Sequence, residues 1–258
     1  SLKALRHRQA VVWEMRHPVR INFFATLSIS LLLLATAYVE THPEAALWLW
    51  GIGAALQLML TLAIFSSWLH HTHYEIHHAN PAWFIPVVGN ILVPIAGVRL
   101  ASPELSWFFF SIGLVFWIVL LTIVLYRLFF HEPLPARLTP TLFILLAPPS
   151  VGFIAYMQLI GSLDAFARIL YYTALFLALL LASNAARFLR TPFFISAWAY
   201  SFPLAALTIA TLVMSTRQPG PIFTLLGLGF LALVSLVVAM LTVRTLIAIF
   251  RRQICVPE

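Results

Sequence analysis

The 258 residues are 62% hydrophobic and 9% charged, with a mean hydropathy of +0.98; soluble chains carry about 25% charged residues, so a soluble domain is excluded. The net charge of +7 belongs to membrane topology rather than to nucleic acid, because of where the cations fall. The single cysteine, Cys255, excludes an internal disulfide and a thiolate metal site.

Several apolar runs reach the ~20 residues that a bilayer demands. The sequence therefore predicts an all-α polytopic membrane protein, one transmembrane domain over residues 1–258. The opening lacks Met and any signal-peptide pattern, and reads as if the natural N-terminus lay further upstream. Residues 1–17 carry Lys3, Arg6, Arg8 and Arg16 against Glu14, a cytoplasmic lead-in to a membrane entry at Pro18.

Span one is predicted over residues 18–39. Its Asn22, Thr26 and Ser30 recur at i, i+4, i+8 and form one polar stripe on an α-helix. Such a stripe serves either a helix–helix contact or a wet lumen. Span two covers 45–69 and runs into the cluster His70-His71-Thr72-His73-Tyr74-Glu75-Ile76-His77-His78. Span three, 83–98, carries Pro86, Asn90 and Pro94; span four, 105–128, has no proline. Span five, 141–160, carries Pro148 and Pro149; span six, 166–186, has none. Span seven, 193–215, holds Ser201-Phe202-Pro203, and span eight, 222–250, is again free of proline.

Prolines thus mark spans three, five and seven and avoid the even spans, the pattern of a helical hairpin repeated: one kinked helix, then one straight. An interior proline removes a backbone hydrogen bond at a cost of about 3 kcal/mol. Its freed carbonyl must be covered by protein or water rather than lipid. The odd spans are therefore expected to form an inner ring and the even spans an outer one. At Phe202-Pro203 the same logic leaves two readings, a pore-lining helix with Phe202 at the narrowest point, or a kinked packing helix with an ordinary core Phe.

With the N-terminus placed inside, twelve Lys and Arg fall on the inner side and three (Arg99, Arg168 and Arg217) on the outer. This positive-inside bias puts both termini in the cytoplasm. All eight acids lie in loops or at helix ends. The carboxylates that proton- and sodium-coupled transporters and cation pores place inside the membrane are absent from the spans. A path lined by small polar groups, aromatic rings and proline-exposed backbone suits an anion or a neutral solute. His73-x-x-x-His77-His78 mimics one box of a di-iron enzyme, but such a site needs several boxes and the other histidines are scattered. No catalytic residue, metal site or cofactor is expected, and the histidines read as a solvated loop.

Four segments, in order, carry a resemblance: Met15-Arg-His-Pro-Val-Arg20, Asn80-Pro-Ala-Trp-Phe-Ile-Pro-Val-Val-Gly-Asn90, Leu146-Ala-Pro-Pro-Ser-Val-Gly-Phe-Ile-Ala-Tyr156 and Ala197-Trp-Ala-Tyr-Ser-Phe202. Together they resemble the tellurite-resistance/dicarboxylate transporter family, which takes in bacterial TehA and the plant guard-cell slow anion channels. The resemblance implies ten helices in five hairpins around a central pore, and trimeric assembly in the membrane. It also implies a gate formed by a Phe that matches Phe202. Pro86, Pro148, Pro149 and Pro203 match the kinked inner helices. Eight spans are visible here and the first resembles the family's third, so the chain is expected to lack the first hairpin. The function implied is a passive anion channel in a bacterial inner membrane, plugged by Phe202 and passing small inorganic or organic anions. The alternative is a secondary carrier for dicarboxylate, sulfite or tellurium oxyanions. A carrier should hold a cation in its path, whereas Arg20, Arg127 and Arg187 stand near helix ends.

Overall fold

A helix is the form in which an apolar run satisfies its own backbone, and every predicted span folds that way. The computed structural model describes residues 17, 19–70 and 74–251. Residues 1–16 of the lead-in, Pro18, His71, His73 and Cys255 lie outside the described residues. Among the described residues there is no strand, and eight helices are long and apolar enough to cross a membrane. They run Arg20–Tyr38, Pro43–His70, Pro81–Leu100, Pro103–Phe130, Ala136–Ile160, Ala165–Ser183, Ile195–Arg217 and Pro221–Phe250.

The chain divides into two compact units, residues 1–132 with 158–160, and residues 133–157 with 161–258. In the first, α1 (Ala25–Tyr38) packs on α2 (Pro43–His70), and α3 (Ile85–Leu100) packs on α4 (Pro103–Phe130), on α1 and on α2. In the second, α5 (Ala147–Ile160) leads through Gly161 to α6 (Ala165–Ser183) and the short α7 (Ala185–Arg190). There α8 (Ser201–Arg217) packs on α9 (Pro221–Phe250). Gly161 caps α5 in the left-handed conformation at φ +75°, its N–H on the Met157 carbonyl. Asp164 then accepts from the Ala167 N–H at 2.9 Å and starts α6.

Span three is 83% buried over its most apolar window, span five 72% and span seven 50%, against 33% or less for the even spans. The proline-bearing helices are thus the covered ones, as expected. Span one, without proline, is 33% buried and resembles the even spans.

The proline pattern has a different local cause from the predicted kink. Each odd span opens as a 3₁₀ helix and converts to α: Arg20–Phe24 into α1, Pro81–Phe84 into α3, Ala136–Leu146 into α5 and Ile195–Tyr200 into α8. In a 3₁₀ helix carbonyl j is paired with N–H j+3, and in an α-helix with N–H j+4. At the conversion, therefore, one N–H finds no carbonyl, and a proline there costs nothing. The Ile85 N–H bonds Ala82 and the next residue is Pro86; the Ala147 N–H bonds Ile144 and the next is Pro148. In span seven the Ser201 N–H bonds Trp198, and Pro203 follows two residues later. Pro86, Pro148, Pro149 and Pro203 are thus first-turn residues of α segments, where proline fits, while Pro94 is an interior proline of α3. Three of the even spans use proline too, but at their first residue: Pro43, Pro103 and Pro221.

The sign of one substitution follows. Pro86→Ala adds a buried N–H that has no acceptor and loosens the unfolded chain, so it destabilises by about 1–2 kcal/mol. Removal of a true interior proline would instead stabilise. The thermal midpoint in detergent separates the two signs.

Candidate functional site

In the first unit the candidate residues converge on one carbonyl. Gln57, fully buried on α2, donates from Nε2 to the Pro86 carbonyl at 2.6 Å and to Thr61 Oγ1 at 3.1 Å. Asn90 Nδ2 reaches the same carbonyl at 2.8 Å and the same hydroxyl at 2.9 Å. Ser28 of α1 donates to Gln57 Oε1 at 2.6 Å. Gly89 makes room for this: a Cβ there would overlap Gln57 Oε1. Both amide donors of Gln57 and the Nδ2 of Asn90 are therefore committed inside the protein, and the knot ties three helices together at the 3₁₀-to-α conversion. Asn90 keeps a buried Oδ1 without a partner. Pro94 removes the N–H that would pair with the Asn90 carbonyl in a regular α-helix.

The predicted stripe on span one is split. Asn22 is fully buried and its Nδ2 donates to the Val19 carbonyl at 3.3 Å, whereas Thr26 and Ser30 are exposed, with their hydroxyls on the carbonyls of Phe23 and Thr26. The 3₁₀ stretch through Phe24 turns each residue by about 120° rather than 100°, so Asn22 leaves the face that an unbroken α-helix would give it. The inward polar group of α1 is Ser28, which the i, i+4 count passed over.

In the second unit the backbone around Phe202 is anchored on both sides. Ser201 Oγ donates to the Trp198 carbonyl at 2.7 Å, and Trp198 Nε1 donates to Thr245 Oγ1 of α9 at 3.0 Å. Ser196 Oγ bonds the Arg137 carbonyl at 2.5 Å, and Tyr200 packs edge-on against Phe143 at 4.6 Å between centroids. Pro203, Leu204, Ala206 and Leu207 are buried behind it. Phe202 itself is half-buried, and among the described residues no aromatic ring packs on it. In span five Pro148, Pro149 and Ser150 are buried, and the Ser150 hydroxyl has no partner. The structure thus groups Pro86 and Asn90 in one knot, and Ser201, Phe202 and Pro203 at one conversion point.

The charged groups sort cleanly. Every described Asp and Glu is exposed. Arg127, by contrast, is only 4% exposed near the end of α4, and its Nε and Nη1 have no partner. Its place three residues from the helix end gave no hint of that burial. Glu75 pairs with His77 at 3.1 Å on an exposed turn, and no group of three metal-ligating side chains occurs among the described residues.

The family described as voltage-dependent anion channel matches residues 1–246. The S-type anion channel SLAH3 of Arabidopsis thaliana is 32% identical over 251 residues, 96% of this chain and 40% of its own length. The guard cell S-type anion channel SLAC1 of the same plant is 28% identical over 100% of this chain and 47% of its own. The tellurite resistance protein TehA homolog of Haemophilus influenzae is 26% identical over 75% of this chain and 60% of its own. The chain thus spans less than half the length of these two plant relatives. With residues 1–246 of the 258 matched, and with eight apolar spans among the described residues, the chain belongs to the voltage-dependent anion channel family.

Proposed function

We propose that this protein is a passive anion channel in which Phe202 closes the conduction path. The observation that carries the reading is the family match over residues 1–246. The structure supports it through charge: every described carboxylate is exposed, and the buried polar side chains, Arg127 apart, are neutral Asn, Gln, Ser and Thr. In this reading Ser201 and Pro203 hold Phe202 in place. Pro86, Pro94, Pro148 and Pro149 shape the backbone of the pore-lining spans, Asn22 and Thr26 complete the lining, and Asn90 acts through the Gln57 knot. The whole chain acts as one transmembrane domain of a homotrimer in a bacterial inner membrane with both termini cytoplasmic.

The test is electrical. The protein, reconstituted in a planar bilayer under a salt gradient, should give a reversal potential near that of the anion, and in sealed vesicles labelled anion should equilibrate without trans-stimulation. A second reading, a secondary carrier, is favoured by one observation, the buried guanidinium of Arg127. Saturable counterflow of labelled dicarboxylate or sulfite without unitary current would replace the channel by the carrier.

A further inference from the structure

The second unit contains a cavity of about 400 Å³ that the conduction reading does not use. Small-molecule ligand pockets occupy about 300–1,000 Å³. Its wall is built from the 3₁₀ helix at 136–146, from α6, α7, α8 and α9, and from the 195–200 segment, through Phe143, Leu181, Phe188, Leu204 and Val237 among others. The wall is almost wholly apolar, and Arg244 is the one charged residue on it.

Two observations say what fills such a space. First, the lining residues Leu189, Leu233 and Met240 are 85%, 45% and 45% exposed, so the cavity opens through an apolar helix face. On a membrane-spanning unit that face meets hydrocarbon, and a lipid chain reaches the mouth without crossing water. Second, the charge sits at one end. Arg244 adjoins Thr245, which receives the Trp198 indole, and no carboxylate pairs with Arg244 among the described residues. The short α7 that contributes Phe188 and Leu189 also carries the exposed Arg187 and Arg190. These arginines belong to the side that the positive-inside count assigns to the cytoplasm, where leaflet lipids are anionic.

We propose that this cavity is a binding site for one acyl chain of an anionic phospholipid whose phosphate pairs with Arg244. The apolar wall takes the chain, as apolar cavities take hydrocarbon, and the guanidinium selects the headgroup through a charge-assisted bond. The site does not depend on what the protein conducts.

The experiment uses native mass spectrometry and thermal midpoints of the purified protein with phosphatidylglycerol or phosphatidylcholine of matched chains. Phosphatidylglycerol should bind about fivefold more tightly than phosphatidylcholine, near 1 kcal/mol for one membrane-surface cation. Arg244→Gln should equalise the two lipids, and Ala178→Phe, which fills the cavity, should weaken both. Arg217→Gln, at the far end of α8, should leave the preference intact. Equal binding of the two lipids by the unaltered protein overturns the headgroup assignment. A preference that survives Arg244→Gln, or tight binding that survives Ala178→Phe, overturns the site.

Discussion

Phe202→Ala is expected to raise anion current at least about tenfold at fixed voltage, the change that follows when a block of ~1.4 kcal/mol is removed. The structural reason to expect a clean result is the anchoring around the residue. Ser201 holds the Trp198 carbonyl, Trp198 is tied to Thr245, and Pro203 is buried in the first turn of the α segment that Ser201 begins. None of these uses the Phe202 ring, which is half-buried and without an aromatic partner among the described residues. Truncation should therefore leave the helix in place and change the path alone. Phe202→Leu should fall between the two. An unchanged current with an unchanged thermal midpoint would mean that Phe202 is a packing residue. A collapse of the midpoint would mean that the ring holds the fold, and the gating assignment would fail with it.

The largest loss of stability is expected at the Gln57 knot. Gln57→Ala removes both donors to Pro86 and Thr61 and leaves a cavity, at a cost of about 3–5 kcal/mol. Gly89→Ala should cost about 2–4 kcal/mol by another route, because its Cβ claims the space of the Gln57 amide. If the two act on the same group they cannot add. In the Gln57→Ala background, Gly89→Ala should cost less than about 1 kcal/mol. That gap is the coupling energy that a double-mutant cycle reads. Additive effects would show that Gly89 matters for some reason other than room for Gln57. The readout is denaturation in mild detergent, followed by tryptophan fluorescence.

Hydropathy and proline spacing were enough to locate all eight spans and to rank spans three, five and seven as covered. Those signals are long and periodic. What they could not convey was helix type. A run such as Pro81-Ala-Trp-Phe84 has no composition that separates 3₁₀ from α, and the consequences spread: the stripe through Asn22 and Thr26 was read with the wrong turn per residue, and the prolines were read as breaks. Two of the three proline sites begin directly after the last 3₁₀ bond, a relation that only the backbone hydrogen bonds reveal. Gln57 was missed because a lone amide in an apolar helix looks the same whether it faces a neighbour or a lumen. Only the carbonyl of Pro86, distant in sequence, tells them apart. Arg127 shows the converse, a helix-end arginine that position alone marks as solvated and packing buries.

The conversion points also decide which helices can turn. A boundary between 3₁₀ and α slides when residues exchange one bonding pattern for the other; each exchange changes the length by about 0.5 Å and the azimuth by about 20°. At Pro86 and Pro148 the slide is blocked, because moving the missing N–H away from the boundary strands a carbonyl inside the membrane. Those two spans are locked screws. Span one converts at Ala25 with no proline nearby. Recoiling Arg20–Phe24 would shorten it by roughly 2.5 Å and swing Asn22 by about 60° relative to α1, so span one is a thread left free to be driven.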